Sequence, residues 1–484
     1  MGKNTLVRLW RKKIILILIL ATALRLLFSN QSFWLDEGAQ MIMSAKSLAF
    51  QWFGRSADFH PPLFYFLIHF WLQLGRSEWF LRLPSVFFGV ATVYLIYLLA
   101  KKMFPHGHVQ FSIFHFTLPE FSALLLAIAP YHIYYSQEAR MYTLLAFLAT
   151  ASMLFLLEKK WLGYILATTA MIYTHYAGFF LIFAQLVFIF LWQKKIFGQF
   201  LKSLALTILL FLPWLPQFLK QLGAGSNLVS LLPGWRNMAN LSLVKALPLT
   251  FIKFSLGRIM ILDKKIYGFV TIVLIGFYGF LLFRACKKIS LEKKFLLNWL
   301  LTPILMTIII SIFIPMYQPF RLLFTIIPFY LLLALGVLSL KEKWQPLAIV
   351  FVFLISLSGL MIYYFDTKFQ RENWREATAF IESQESEKTV ALFEFSEPFA
   401  PYQWYSRGRV RAYGAIPGLK VSPEIIESQM PKITERAKNV FLFQYLQPVT
   451  DPERLVEGWL KGNGFREKEI KDFSGVGFVY NYSK

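Results

Sequence analysis

Runs of about 20 apolar residues, many closed by lysine or arginine, recur along the chain as far as residue 365. A helix needs roughly 20 such residues to cross a bilayer. Only helices and closed barrels can satisfy their own backbone there. The candidate spans fall at 14–29, 83–103, 118–136, 140–157, 162–175, 177–193, 201–219, 265–283, 295–314, 322–340 and 345–364. Composition points the same way. Hydrophobic residues make up 57% of the chain and charged residues 16%, against roughly 25% charged in a soluble domain. A soluble enzyme and a disordered chain are both excluded by this balance. One cysteine, Cys286, rules out an internal disulfide framework and a cysteine-based zinc site.

The charge is divided unevenly. The segment 366–484 carries 17 acidic and 17 basic residues, whereas 1–365 carries 10 acidic and 33 basic. The whole net charge of +23 therefore sits in the apolar part. The basic clusters RLWRKK (8–13), Lys101-Lys102, EKK (158–160), QKK (193–195), 284–294 and KEK (341–343) fall on alternate ends of the spans. By the positive-inside rule they are cytoplasmic, as is the N-terminus, and eleven spans place the tail outside. The first span is expected to stay uncleaved, because its apolar run continues through Leu26-Leu27-Phe28 beyond the signal-like Ala21-Thr22-Ala23. The expected protein is an α-helical polytopic membrane protein over 1–365, followed by a soluble α/β domain over 366–484. That domain has strands at 390–395, 440–445 and 476–482 and helices at 373–383 and 452–464. The runs 62–75 and 220–264 read as surface or interfacial helices rather than spans.

Acids are scarce in 1–365, so their positions carry information. Asp36 and Glu37 directly follow the first span, with Asp58 in the same expected outer loop. Glu138 sits between two spans in YHIYYSQEARMY (131–142). An acidic pair at the start of a helix serves equally as a cap or as a general base towards a hydroxyl. His60 in DFHPPLFYF, Arg82 in WFLRLPS, Arg140 and Tyr142, His175 and Tyr176 in THYAG, and Arg321 in YQPFR all fall at expected outer ends. Each has an ordinary explanation as a turn, snorkelling or local-pair residue. As a set they make the outer loops basic, with thirteen cations (Arg55, Arg236, Lys253 and Arg258 among them) against six acids. Such a face suits an anionic ligand at the membrane surface, since guanidinium groups match phosphate oxygens. No Walker A, GxGxxG, HExxH or GxSxG motif stands in a suitable context.

Six motifs occur in one order: WLDEG (34–38), HPPLFYFL (60–67), RLPSVFFG (82–89), SQEARMY (136–142), THYAG (174–178) and RLLFTIIPFYLLLALG (321–336). Together they resemble bacterial GT-C membrane glycosyltransferases of the protein O-mannosyltransferase/aminoarabinose transferase-like branch, over about 14–340. The resemblance implies a many-helix fold with its active site on the outer face of the cell membrane. It implies inverting transfer of a sugar from a polyprenyl-phosphate donor to a hydroxyl of a lipid, protein or glycan acceptor. It makes Asp36 the expected catalytic carboxylate, with Glu37 and Glu138 as further acidic positions. Arg140 and Arg321 become contacts to the lipid phosphate, with His60, Arg82, Tyr142, His175 and Tyr176 around the donor. The chemistry is self-consistent: a phosphate leaving group needs positive charge rather than a strong acid, and the acceptor needs a base. No cofactor, no metal and no nucleic-acid partner is expected. The competing expectation is a transporter or flippase, which would place ionisable groups at mid-span. A third is an enzyme using a diphosphate-linked oligosaccharide.

Overall fold

The apolar runs fold into helices, as their backbone chemistry in lipid requires. The structure, a computed structural model, describes residues 3–54, 59–105, 116–231, 242–259, 263–314, 316–416 and 421–484. Arg55, Asp58 and Arg236 lie outside these residues. Six described helices are long and apolar enough to cross a membrane: Glu78–Met103, Lys194–Ala224, Lys264–Cys286, Leu291–Ser311, Pro319–Leu338 and Glu342–Phe365. Shorter apolar helices at Leu118–Ala127, Tyr142–Glu158 and Gly178–Trp192 stand where full spans were expected. The bundle wears its hydrophobicity outward: Leu162, Phe269, Ile272, Phe283 and Phe313 are among many large apolar side chains left exposed. A surface of that kind belongs against lipid. The protein is a multi-pass membrane protein.

The first seven helices position the site. They are α1 (Lys3–Leu26), α2 (Leu35–Ser44), α3 (Leu63–Trp71), α4 (Glu78–Met103), α5 (Leu118–Ala127), α6 (Pro130–Ser136) and α7 (Tyr142–Glu158). The expected continuous span 118–136 is two helices, and the break has a local cause. Pro130 has no N–H to continue the ladder and disfavours helical geometry in the residue before it. Ala129 is accordingly extended, at φ −66° and ψ 112°. The break leaves backbone carbonyls in need of donors. Arg25, fully buried in α1, supplies them: its Nη1 donates to the Ala127 carbonyl at 3.0 Å and its Nη2 to that of Leu126 at 3.3 Å. The run 201–219 does not break: it lies within the helix Lys194–Ala224, which only tightens to a 3-10 turn at Leu212–Trp214 around Pro213, with Leu212 still helical at φ −52° and ψ −38°.

After residue 365 the chain builds a five-stranded sheet of β1 (Thr389–Phe393), β2 (Arg411–Gly414), β3 (Asn439–Phe443), β4 (Arg466–Phe473) and β5 (Gly477–Ser483). The order is β2-β1-β3-β5-β4, with β1 parallel to β2 and β3, and β5 antiparallel to β3 and β4. All five residues of β1 are buried, as expected for a central parallel strand covered on both faces. One face packs on Trp374, Ile381 and Phe399, the other on Ile426, Met430 and Leu460. The three expected strands and two expected helices are present. Strand β4 was missed because its REKEIKDF sequence is charged nearly throughout. It is an exposed edge strand, where charge discourages further pairing.

This unit rests against α2. A Cβ added at Gly38 would lie 2.6 Å from the Pro401 backbone nitrogen, so only glycine permits the approach. Tyr405 accepts the Phe33 N–H at 2.8 Å and donates to Glu78 at 2.9 Å, while Arg375 pairs with Glu78 at 2.6 Å.

At the end of β1, Glu394 is buried with an Oε2 that has no partner among the described residues. Burial pushes its carboxyl up to about 9, helped by Asp451 and Glu457 and opposed by Arg454. Its folded pKa exceeds the unfolded one. Stability from this group is therefore full below about pH 4.3 and is lost as pH rises through 9, by up to about 1.4 kcal/mol per pH unit. Glu394→Gln should raise the thermal midpoint of the full-length protein at pH 8 but not at pH 4. Parallel wild-type and variant midpoints across that range would contradict the assignment.

Candidate active site

Asp36 and Glu37 both occupy the first turn of α2, yet their side chains have opposite surroundings. Glu37 is fully buried. Arg82, near the start of α4, grips it with two bonds: Nε to Oε1 at 2.8 Å and Nη2 to Oε2 at 2.6 Å. Oε1 also accepts the Ala139 N–H at 2.7 Å. The remaining Arg82 donors reach the carbonyls of Ser29 and Gln31 at 2.7 Å and Ser32 at 3.2 Å. All five guanidinium N–H groups are thus spent within the protein, leaving none for a donor phosphate. Burial alone would raise the Glu37 pKa, but Arg82 and the Ala139 N–H outweigh it, so the carboxyl lies below its ordinary value.

Asp36 is left open. The cap residue of α2 is Trp34, whose side chain makes no cap bond, so Asp36 does not serve as the cap. The leading N–H, that of Leu35, is taken instead by Glu372 Oε2 at 3.1 Å. The Asp36 side chain is 39% exposed and stands 3.8 Å from Arg140 Nη2. Arg140 is 4% exposed and is steadied by the Asp36 carbonyl at 3.3 Å and Gln40 Oε1 at 3.4 Å. Arg321 lies within electrostatic range of Asp36, Arg140 and Tyr142, with one Nη on the Met316 carbonyl at 2.7 Å.

His175 sits between His60 and Tyr142, with ring centroids 5.5 Å and 6.2 Å away. Its Nδ1 accepts the Ala177 N–H at 3.0 Å, which puts the proton on Nε2. Burial holds His175 well below the usual histidine range, and His60, Arg321 and Arg140 add to the effect. The imidazole is therefore a neutral donor at physiological pH. Tyr176, its sequence neighbour, belongs elsewhere. It donates to Gln221 at 2.5 Å, accepts from Trp214 at 2.9 Å and packs on Phe218.

Glu138 is buried and pairs with Arg371, Nη1 to Oε2 at 2.6 Å. Its Oε1 is unpartnered among the described residues. Burial raises the Glu138 pKa, Arg371 pulls it down and Glu37 adds to the rise; the net direction is upward. A cavity of about 250 Å³ opens beside it, lined by Trp34, Tyr131, Tyr135, Tyr142, Lys253, Arg258 and other residues. Tyr142 joins the two halves of the site, within electrostatic range of Asp36, Arg140, Glu138 and Arg321. The half-buried Lys253 is pushed down to about 8 by burial and by Arg258. Arg258 donates to the Tyr134 hydroxyl and lies over the Trp34 ring at 5.8 Å.

The structure therefore brings Asp36, Arg140, Arg321, Tyr142, His60 and His175 together, with Glu138 on the far side of Tyr142. Sequence reasoning missed Arg25, His132, Arg371 and Glu372. Arg25 stands inside an apolar run, which is itself a signal. All five of its N–H groups are spent, on Ser136, on the Ala21, Ala127 and Leu126 carbonyls, and on His132 Nδ1 at 2.8 Å. Arg371 and Glu372 had no comparable signal, being ordinary polar residues in a charged segment.

The arrangement of helices is matched by solved proteins. The ArnT structure from Cupriavidus metallidurans in its apo state superposes with a TM-score of 0.57 at 10% identity, covering 98% of each chain. The chain has the GT-C fold. The same GT-C protein bound to undecaprenyl phosphate matches at 0.57 and 11% identity, over 99% of this chain and 98% of that one. The archaeal oligosaccharyltransferase AglB from Archaeoglobus fulgidus, in complex with an inhibitory peptide and a dolichol-phosphate, matches at 0.53 and 12% identity. That likeness covers 97% of this chain and 74% of AglB. The family model for dolichyl-phosphate-mannose-protein mannosyltransferase matches residues 59–216. No curated protein sequence matches the chain. The GT-C resemblance drawn from the six motifs is thus met by the fold.

Glu37→Gln should strand a buried Arg82 cation, at a cost of about 3–5 kcal/mol. A marked fall in thermal midpoint in detergent is expected. An unchanged midpoint with lost activity would instead make Glu37 a reacting group.

Proposed function

We propose that the protein is an inverting glycosyltransferase that moves a sugar from a polyprenyl-phosphate donor to a hydroxyl acceptor at the outer face of the cytoplasmic membrane. In this reading the N-terminus is cytoplasmic and the soluble domain 366–484 extracytoplasmic. One observation carries it: among the described carboxylates of the site, Asp36 alone is open to solvent, with two guanidinium groups in range. Ion pairing and backbone bonds hold Glu37 and Glu138 in buried positions, and Glu372, partly buried, is spent on the Leu35 N–H.

Asp36 accepts the proton of the acceptor hydroxyl as its oxygen attacks the anomeric carbon. The bond from that carbon to the phosphate oxygen breaks on the opposite face, which inverts the centre. The electron pair leaves with the lipid phosphate, whose added negative charge Arg140 and Arg321 stabilise. The neutral His175, a donor through Nε2, and His60 line the approach, and Tyr142 borders the sugar. Glu37 and Arg82 act at one remove, fixing α2 and the Ala139 backbone. Tyr176 supports the hairpin after His175 through Gln221 and Trp214. The GT-C fold and the solved undecaprenyl-phosphate complex of ArnT support this choice of donor. The acceptor is a lipid, protein or glycan hydroxyl. Transport finds less support, because the buried Arg25 is fully hydrogen-bonded and so serves as a brace rather than a station on a pathway.

Asp36→Asn should lower transfer from undecaprenyl-phosphate sugars by at least about 100-fold with an unchanged thermal midpoint. Retained activity would overturn the assignment. Arg140→Ala and Arg321→Ala should each weaken binding of undecaprenyl phosphate at least about tenfold and leave acceptor affinity unaltered. Equal loss on both sides would contradict a phosphate role.

A further inference from the structure

Two buried glutamate–arginine pairs stand within the same site, and they are built differently. Glu37 and Arg82 exhaust each other: both carboxylate oxygens and all five guanidinium N–H groups are bonded. Such a pair is closed and can only hold structure. Arg371 could grip Glu138 with the same fork but does not. Its Nη1 is shared between Glu138 Oε2 and the Tyr134 hydroxyl, each at 2.6 Å, and its Nη2 goes to the Tyr134 carbonyl at 3.2 Å. The guanidinium lies 3.9 Å from the Tyr134 ring centroid, and the Arg371 backbone N–H donates to Gln31 at 2.8 Å. The arginine is fixed from several sides, and it occupies one glutamate oxygen only.

The other oxygen, Oε1, is buried without a partner among the described residues, and Glu138 lines the cavity of about 250 Å³. A buried acceptor left unpaired costs about 1–3 kcal/mol, so one on a residue that lines a cavity is best met by a donor from whatever fills that cavity. The walls show what kind of ligand. Trp34, Tyr131, Tyr135 and Tyr142 present flat, partly polar rings, and Lys253 adds a donor. Aromatic faces with one acceptor and one donor suit a neutral polyhydroxylated ring, with C–H faces against the rings and O–H groups towards the carboxylate.

We propose that this cavity receives the sugar ring of the donor, that Glu138 Oε1 reads one of its hydroxyl groups, and that Arg371 is the positioning residue that aims it. The inference rests on the glycosyltransferase reading above. It gives Glu138 a part in sugar selection rather than in bond cleavage. It also gives the segment after the last helix a place in the site, because Arg371 comes from the chain beyond residue 365.

The test uses full-length protein in detergent. A panel of undecaprenyl-phosphate hexoses and pentoses finds the fastest donor, and its monodeoxy analogues are then compared. In the wild type, removal of one ring hydroxyl should lower kcat/KM at least about tenfold. In Glu138→Gln and in Arg371→Lys that penalty should shrink to within about twofold. Binding of undecaprenyl phosphate alone, which has no sugar, should stay unchanged in both variants. A role confined to stability would instead weaken carrier and sugar alike. A deoxy series indistinguishable from the parent donor in the wild type would overturn the proposal, and that series decides the matter even where a variant fails to fold. Transfer from none of the glycosylated carriers would overturn the functional reading, and the sugar cavity with it.

Discussion

The bidentate contact between Glu37 and Arg82 organises everything around it. A carboxylate removed from water is tolerable only when its charge and lone pairs are met. Here they are met by residues from separate parts of the chain. Arg82 reaches back to the carbonyls after α1, Glu37 fixes α2, and the Ala139 N–H brings in the turn before α7. Two expected outer loops are thereby tied at one point, and Asp36 takes its place beside Arg140 as a consequence of its neighbour's burial.

Around that point the carboxylates form a graded series. Glu37 is closed on every side, Glu138 has one oxygen bound and one bare, and Asp36 is exposed. Closed groups supply rigidity, and open ones can react or recognise. The soluble unit takes part through Arg371, Glu372 and Arg375, which reach Glu138, the start of α2 and Glu78. Glycine at position 38 lets that unit approach within contact distance of the same helix. The first turn of α2 is therefore held both by the bundle, through Arg82, and by the tail, through Glu372.

Much of the architecture was legible from residue patterns. Apolar length located the six long helices among the eleven expected spans, and the VALFEF, VFLFQY and VGFVYNY runs became β1, β3 and β5. Six ordered motifs gave the fold family. The losses have physical causes. Pro130 divides a run whose hydropathy is continuous, because hydropathy does not record a missing N–H. Strand β4 carries edge charges that mask its type. Arg82 reads as a surface arginine until its distant carbonyl partners are known, and Arg371 becomes visible only when the tail folds back on Glu138. Long-range pairing of this kind leaves no local trace.

Arg25 has one more consequence. Its partners are hydroxyl, imidazole and carbonyl groups, so no carboxylate among the described residues pairs with its charge. A guanidinium keeps its proton at any physiological pH, and burial shields it from dissolved salt. The C-terminal end of α1 thus keeps a fixed positive charge, whose field the ions of the surrounding solution screen little.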